Sequence, residues 1–562
     1  MSHANLFFPF LKANERRGWR GRLHKLFSRI GATTRASPVR RAVQVACLMT
    51  FLMLFFYAAW PYGPVFDNDL FYKKEFLPAE VFLWLDPLLG FSTALAARTW
   101  NVALWWALGI LTLCLFFPRG FCGYFCPLGT AIDFFDWAVG RHVKRFKLKV
   151  TGGWVHTKYY LLAAILIAAA GGVLLSGYLA AIPVITRGLL FVGAPIQLGL
   201  LKNWGMVPPI GWTYVLSIVL FAAVFALGFL EKRFWCRYVC PTGAVFSVFN
   251  LFRVGERKVE SSCIKCNKCV EICPFDAIKA DFTTRTADCT FCQSCGGVCP
   301  THSIQFTTRW NLTDLKAEND PPVHEHPTSR RGFLAASAAG LAGAAAVRVG
   351  WLDAFRSKKA LLRPPGSVSE ESFNDLCIRC GECFKVCPGP VLQPAGLEGG
   401  IEALWTPVVV PSHAGCHQEC NYCTQVCPTG AIQPLALEEK RVFRLGLAIV
   451  NTKTCLPHAG ERDCQLCYDE CKAAGYDAIQ MRQISLPVPE NLESEGLYSA
   501  LEIEQMSTIL APFVIPEKCV GCGLCEYRCN TALVKLEPLL QESAIVVVAE
   551  NESRAAGPVA RG

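Results

Sequence analysis

The first 230 residues of the chain are written in long apolar blocks, and the remainder in short mixed runs. Four of the blocks carry no charge: Ala42–Trp60, Trp100–Phe117, Tyr159–Ile182 and Gly211–Leu230. The first and last, at 19 and 20 residues, are long enough as helix to cross about 30 Å of hydrocarbon. The third would cross with some tilt. The second is the shortest and is bounded by Trp100, Trp105 and Trp106, residues of the kind that collect at membrane interfaces. A fifth stretch is different. Ser329-Arg330-Arg331-Gly332-Phe333-Leu334 precedes an Ala/Gly-rich run to Val347. Paired arginines before a weakly hydrophobic, small-residue segment predict an internal twin-arginine export signal, which becomes a fifth helix as signal or anchor.

Charge orients these elements. Residues 1–41 hold ten Lys/Arg against one acid, Glu15. Because an apolar span follows directly, this arm reads as a cytoplasmic membrane flank and not as a nucleic-acid-binding tail. The loop Pro61–Thr99 is acidic on balance and falls outside, whereas Arg141-His142-Val143-Lys144-Arg145 and Glu231-Lys232-Arg233 fall inside. The arginine pair at 330–331 then lies in the cytoplasm, where export begins, and everything after it is exported. A composition of 52% hydrophobic residues with mean hydropathy +0.30 agrees with a protein that is part membrane, part soluble.

The 30 cysteines supply the chemistry. Two tandem runs read C-x2-C-x2-C-x3-C-P: Cys263, Cys266, Cys269, Cys273, and Cys289, Cys292, Cys295, Cys299. A third is Cys377, Cys380, Cys383, Cys387, and a slightly stretched fourth is Cys416, Cys420, Cys423, Cys427. Two more lack the trailing proline: Cys455, Cys464, Cys467, Cys471 and Cys519, Cys522, Cys525, Cys529. Thiolate holds iron–sulfur clusters, and this bacterial spacing lends the fourth cysteine to the neighbouring cluster. Six quartets predict six [4Fe–4S] clusters. In the first pair the exchange gives Cys263, Cys266, Cys269 and Cys299 to one cluster and Cys289, Cys292, Cys295 and Cys273 to the other. In the last four, exchange between adjacent quartets and a nested arrangement are both open. Zinc ribbons separate two C-x2-C pairs and do not close with C-x3-C-P, and disulfide frameworks do not repeat this run.

Four further cysteines form two C-x3-C-P pairs, Cys122 with Cys126 and Cys236 with Cys240. Arg119-Gly-Phe-Cys122-Gly-Tyr-Phe-Cys126-Pro-Leu-Gly129 echoes Arg233-Phe-Trp-Cys236-Arg-Tyr-Val-Cys240-Pro-Thr-Gly243. Each follows a span, which suggests a duplicated two-helix unit. Together the four thiols could hold a further metal or cluster, act as redox dithiols, or simply turn the chain at a helix end. Cys47 and Cys114, inside spans, read as packing residues.

What is missing narrows the function. No histidine lies within a span to hold transmembrane haem, and there is no C-x-x-C-H for covalent haem. No phosphate-binding glycine motif is found, so neither nucleotide hydrolysis nor NAD(P)H oxidation is supported. The first 310 residues, with their spans, both C-x3-C-P pairs and a two-cluster ferredoxin, resemble the NapH type of membrane ferredoxin. The membrane core is also similar to the NosR family, without that family's flavin domain. Residues 328–540 resemble NapG, an exported four-cluster protein, in particular through the eight-residue gap between Cys455 and Cys464. The resemblance implies a NapH–NapG-like fusion that takes electrons from the membrane quinone pool and delivers them to a periplasmic redox protein or reductase.

The expected organisation is multi-domain: a basic arm (1–41), a four-helix membrane core (42–253), a cytoplasmic α+β ferredoxin of the 2[4Fe–4S] type (254–310), a linker with the twin-arginine helix (311–360), and an exported four-cluster ferredoxin-like domain (361–562). The expected location is a bacterial cytoplasmic membrane, in contact with lipid and quinol and not with nucleic acid. Electron supply for maturing a metalloenzyme, and redox sensing, are alternative functions.

Overall fold

A computed structural model describes residues 38–59, 78, 80–140, 142–146, 153–201, 204–279, 281–310, 330–348, 360–486 and 508–549. Most of the basic arm, the acidic residues Asp67, Asp69 and Glu75, and the linker at 311–327 lie outside the described residues.

The amino-terminal part is helical. Its main elements are α1 (Pro38–Ala59), α2 (Pro87–Ala97), α3 (Val102–Phe116), α4 (Pro127–Phe135), α5 (Thr157–Ala170), α6 (Ala181–Leu201), α7 (Trp212–Ala226) and α8 (Pro241–Phe249). Pro38 begins α1, where its missing N–H costs nothing, and Asp86 and Asn101 cap α2 and α3 by accepting from Leu88 N and Leu104 N. Among the described residues three helices are long and apolar enough to cross a membrane, judged by length and composition: Val39–Tyr57, Ala181–Leu200 and Trp212–Phe229.

Two expected spans change. The block at Trp100–Phe117 forms a helix of only 15 residues. The block at Tyr159–Ile182 is broken: α5 stops after 14 residues, Gly172 turns with φ +82°, and a new helix starts at Ala181. Glycine supplies that left-handed turn at no steric cost. The candidate span missed by the sequence reading is α6, whose apolar run is interrupted by Arg187. That guanidinium is fully buried and bonds the carbonyls of Gly177 (2.7 Å) and Arg379 (2.9 Å), so a paired charge is carried inside an apolar helix.

Phe51, Leu54, Leu88, Leu111, Ile132, Ile185, Val224 and Phe246 converge on one core. In water each such burial is worth about 1.5–3 kcal/mol. The outward faces are apolar as well: Met49 and Met53 on α1, Trp105 and Phe116 on α3, and Val215 and Val219 on α7 are all exposed. A helix hydrophobic on every side belongs in a larger core or in lipid. α11 (Arg330–Arg348), numbered after two short helices of the next unit, lies along α5 in the same direction. Gly332 faces the Tyr160 ring, Gly340 faces the Ala164 backbone so closely that a Cβ there would stand 2.8 Å from the Ala164 carbonyl oxygen, and Ala344 meets Gly171. Small residues at every fourth position allow that approach.

Two cysteine-rich units cap opposite ends of the helices. The first pairs β1 (Gly255–Val259) with β2 (Ile304–Thr308), antiparallel, around the short helices α9 (Lys268–Ile272) and α10 (Ser294–Val298). It meets the bundle where α3 ends, through Val254 N to Leu115 O at 2.7 Å, and at the start of α5, through Lys158 to Asp288 at 3.0 Å. The second unit begins with α12 (Glu370–Leu376) and contains three antiparallel pairs: β3 (Leu392–Pro394) with β4 (Pro407–Val409), β5 (Leu447–Val450) with β8 (Ile545–Val548), and β6 (Ile479–Ser485) with β7 (Thr508–Val514). It sits on the other end, with Arg379 on Leu174 O (2.8 Å), the Trp405 indole on Thr213 O (2.9 Å) and Tyr214 on Gln393 (2.6 Å). Along α1, Arg40 bonds Gly123 at one end and Phe55 underlies Lys385 at the other, a rise of about 22 Å for helix.

Candidate functional site

No disulfide joins any of the 30 cysteines, and the loops around them explain how they are presented. In four quartets the residues on either side of the second cysteine are left-handed: Lys265 and Asn267, Phe291 and Gln293, Arg379 and Gly381, Gly521 and Gly523. Such reversals turn successive backbone N–H groups inward into a concavity for an anion. The stretched quartets are built differently, for Asn421 and Gln465 have φ −127° and −129°. Their extra residues replace the left-handed pair.

The structure brings together cysteines far apart in sequence. One pocket is lined by Cys273, Cys289, Cys292 and Cys295, the set the exchange rule predicts. A second is lined by Cys455, Cys464, Cys467 and Cys529, and a third by Cys471, Cys519, Cys522 and Cys525. Cys377, Cys380, Cys383 and Cys427 face one another closely enough for their charges to interact, as do Cys387, Cys416, Cys420 and Cys423. In the last four quartets each fourth cysteine thus lies with the first three of the adjacent quartet and not in the nested order. Among the described residues no three Cys, His, Asp or Glu side chains converge on a point for a single ion. A four-iron cube, which takes one thiolate at each iron corner, demands wider spacing. Burial pushes the Cys420 and Cys522 thiols up to about 12 each, so filling these sites displaces protons. At Cys299 burial is outweighed by hydrogen bonds from Thr301 and Ser303, and the thiol is held below its usual range.

The sites follow one another. Cys416 N donates to Cys522 O at 2.8 Å, and the charge of Cys467 reaches Cys525. Cys380 is packed in the same core as Cys126 and Cys240 of the helical part. Tyr124, next but one to Cys122, donates to Phe291 O at 3.0 Å, between Cys289 and Cys292.

The two C-x3-C-P pairs meet at the centre of this series. Cys126 and Cys240 are the N-caps of α4 and α8, and each sulfur accepts a backbone N–H, from Gly129 and Gly243, at 3.3 Å. Cys126 feels the charges of Cys122, Cys236 and Cys240. Sequence reasoning left two neighbours without a role. Arg119 and Arg233, three residues before the first cysteine of each copy, are fully buried with φ +46° and +50°. Their place in the echo was the available signal.

Comparison with known proteins follows the same division. A 4Fe-4S binding domain model matches residues 99–146 and again 213–260, and a second model of that description matches 257–279. The ferredoxin-type protein NapG of Escherichia coli is 33% identical over 216 residues, covering 37% of this chain and 86% of that protein. NapG of Haemophilus influenzae is 30% identical, covering 37% of this chain and 72% of that protein. The methylamine utilization ferredoxin-type protein MauM of Methylophilus methylotrophus is 32% identical, covering 33% and 75%. No solved structure matches. Ferredoxin quartets with exchanged fourth cysteines, a helical part with its own matched 4Fe-4S segments, and this likeness to NapG lead to one assignment: the chain belongs to the NapG/NapH-type polyferredoxins, iron–sulfur electron-transfer proteins.

Proposed function

We propose that this chain spans a bacterial cytoplasmic membrane and passes electrons from quinol to an extracytoplasmic redox protein. The observation that carries the reading is that two cysteine-rich units cap opposite ends of one apolar bundle. The parallel packing of α11 on α5 supports the orientation, because it sets Arg330 and Arg331 at the end that carries the two-quartet unit. A twin-arginine signal at that end would export the four-quartet unit to the other. Six [4Fe–4S] clusters are held by Cys263, Cys266, Cys269 and Cys299; Cys289, Cys292, Cys295 and Cys273; Cys377, Cys380, Cys383 and Cys427; Cys416, Cys420, Cys423 and Cys387; Cys455, Cys464, Cys467 and Cys529; and Cys519, Cys522, Cys525 and Cys471. When bound, each exchanges one electron at a time.

A cleft where the two-quartet unit meets the helices is bordered by His156, Tyr159, Tyr238 and Asp288. Its lining includes Arg237 and Asp288, the chain neighbours of Cys236 and Cys289. The test is to add a quinol analogue to anaerobically reconstituted protein and follow cluster reduction by EPR. Reduction supports the reading; full iron with no reduction rejects quinol as donor. Replacing Arg330-Arg331 with Lys-Lys should leave the carboxy half unexported in a protease-protection assay, and unchanged export would remove the twin-arginine assignment.

A further inference from the structure

Each segment matched by the 4Fe-4S domain model in the helical part contributes one C-x3-C-P pair, half of what a cube needs; the first also holds Cys114, within α3. The fold pools them. Cys122 and Cys126 from one copy meet Cys236 and Cys240 from the other, at the N-termini of α4 and α8, whose first N–H groups already bond the Cys126 and Cys240 sulfurs. A helix N-terminus favours a thiolate and any anion beyond it.

The independent observation is a pair of incompletely satisfied cations. Arg119 is wholly buried, yet its Nε and Nη2 have no hydrogen-bond partner; Arg233 is 1% exposed, and its Nη1 has none. Their other nitrogens are engaged, Arg119 with Asp288 (3.8 Å) and Arg233 Nε with Asp133 (2.6 Å). Arg119 Nη2 lies 3.3 Å from where a Cβ on Gly243 would stand, and so points at the Cys240 turn. Both guanidiniums feel the charge of Cys236. Buried donors are rarely left unpaired, and a guanidinium is matched by an anion with several acceptor atoms. A four-iron cube with four thiolates is such an anion, with sulfides as acceptors.

We propose that Cys122, Cys126, Cys236 and Cys240 together bind one [4Fe–4S] cluster between Arg119 and Arg233, and that it relays electrons between the two cysteine-rich units. The proposal rests on the electron-transfer reading above. On one side, the Phe275 ring, two residues after Cys273, lies 5.2 Å from the Arg119 and 4.8 Å from the Arg233 guanidinium. On the other, Thr242 bonds Asp86 (3.0 Å), two residues from Trp84, whose indole donates to the carbonyl of Pro428 next to Cys427 (3.4 Å). The step is a one-electron transfer. A reduced cluster at Cys289 is oxidised by one electron, the relay is reduced by one, and the relay then reduces the cluster at Cys380; no proton moves and no bond to substrate changes. The first cluster is reduced by quinol or by a soluble one-electron carrier.

The test uses the full chain, reconstituted anaerobically in vesicles with ferricyanide inside and dithionite outside. Wild type should bleach ferricyanide. The variant C122S/C126S/C236S/C240S should contain about four fewer irons per chain, keep the EPR signals of the remaining clusters, and bleach no faster than protein-free vesicles. Unchanged iron, or unchanged bleaching, overturns the relay. If that variant does not fold, R119Q/R233Q retains the thiols. One cluster's midpoint potential should fall while the others stay, and a set of potentials identical to wild type overturns the proposal. Wild-type protein with far fewer than about 24 irons would instead defeat the electron-transfer reading itself.

Discussion

Cys266, in the first loop of the two-quartet unit, is exposed, whereas Cys377, Cys380 and Cys383 in the corresponding loop of the four-quartet unit are all buried. The backbone is the same in both, with left-handed residues at Lys265 and Asn267 and at Arg379 and Gly381. What differs is the surroundings. The first loop faces solvent, while the second is pressed against the helices, Ile378 on Gly177 and Arg379 on Leu174. One loop can therefore serve as a port in one place and as an internal contact in another. Arginines show the same contrast. Arg257 lies beside Cys295 and Cys289, where its charge acts on the cluster site. Arg379 spends its guanidinium on the carbonyls of Leu174, Cys377, Glu402 and Leu404 and acts as a clamp.

The change that should abolish the contrast is Gly177→Val. Any Cβ there would overlap the Ile378 carbonyl, so the buried loop should lift off the bundle. Iron content should stay at the wild-type level while electron passage to the four-quartet clusters, followed by freeze-quench EPR, is lost. Retained passage would mean the seam is not a route.

A gentler test leaves the sequence intact. Limited exposure to an iron chelator with oxygen should strip the site of Cys263, Cys266 and Cys269 first and that of Cys377, Cys380 and Cys383 last, with EPR identifying each loss. Simultaneous loss would erase the distinction between port and internal contact. Smaller still is Arg257→Leu. Removing a buried cation destabilises the extra electron, so the Cys289-site cluster should become harder to reduce by about 60 mV, a factor of ten for one electron. Redox titration reads this directly. Cys47→Ala, by contrast, touches a half-buried position on α1 and should change thermal stability by less than about 0.5 kcal/mol.

The quartets and the apolar character of the amino-terminal half were legible because each depends on local spacing: three cysteines on one loop form a recognisable run, and so does a block of apolar residues. The break at Gly171-Gly172 and the helix α6 were not, since hydropathy sees composition and not the turn that a glycine makes. Arg187 masked α6 for the same reason. A charge looks like an interruption until its partners, the carbonyls of Gly177 and Arg379, are brought from distant segments.

Sequence alone specified which residues could ligate iron, because thiol chemistry and loop spacing are local properties. Tertiary structure alone decided which cysteines of neighbouring quartets lie together, how the two C-x3-C-P pairs meet, and which unit touches which end of the bundle. Those are contacts across tens to hundreds of residues. They are set by which apolar faces, capped helix ends and buried charges can be satisfied together, and no window of sequence contains that sum.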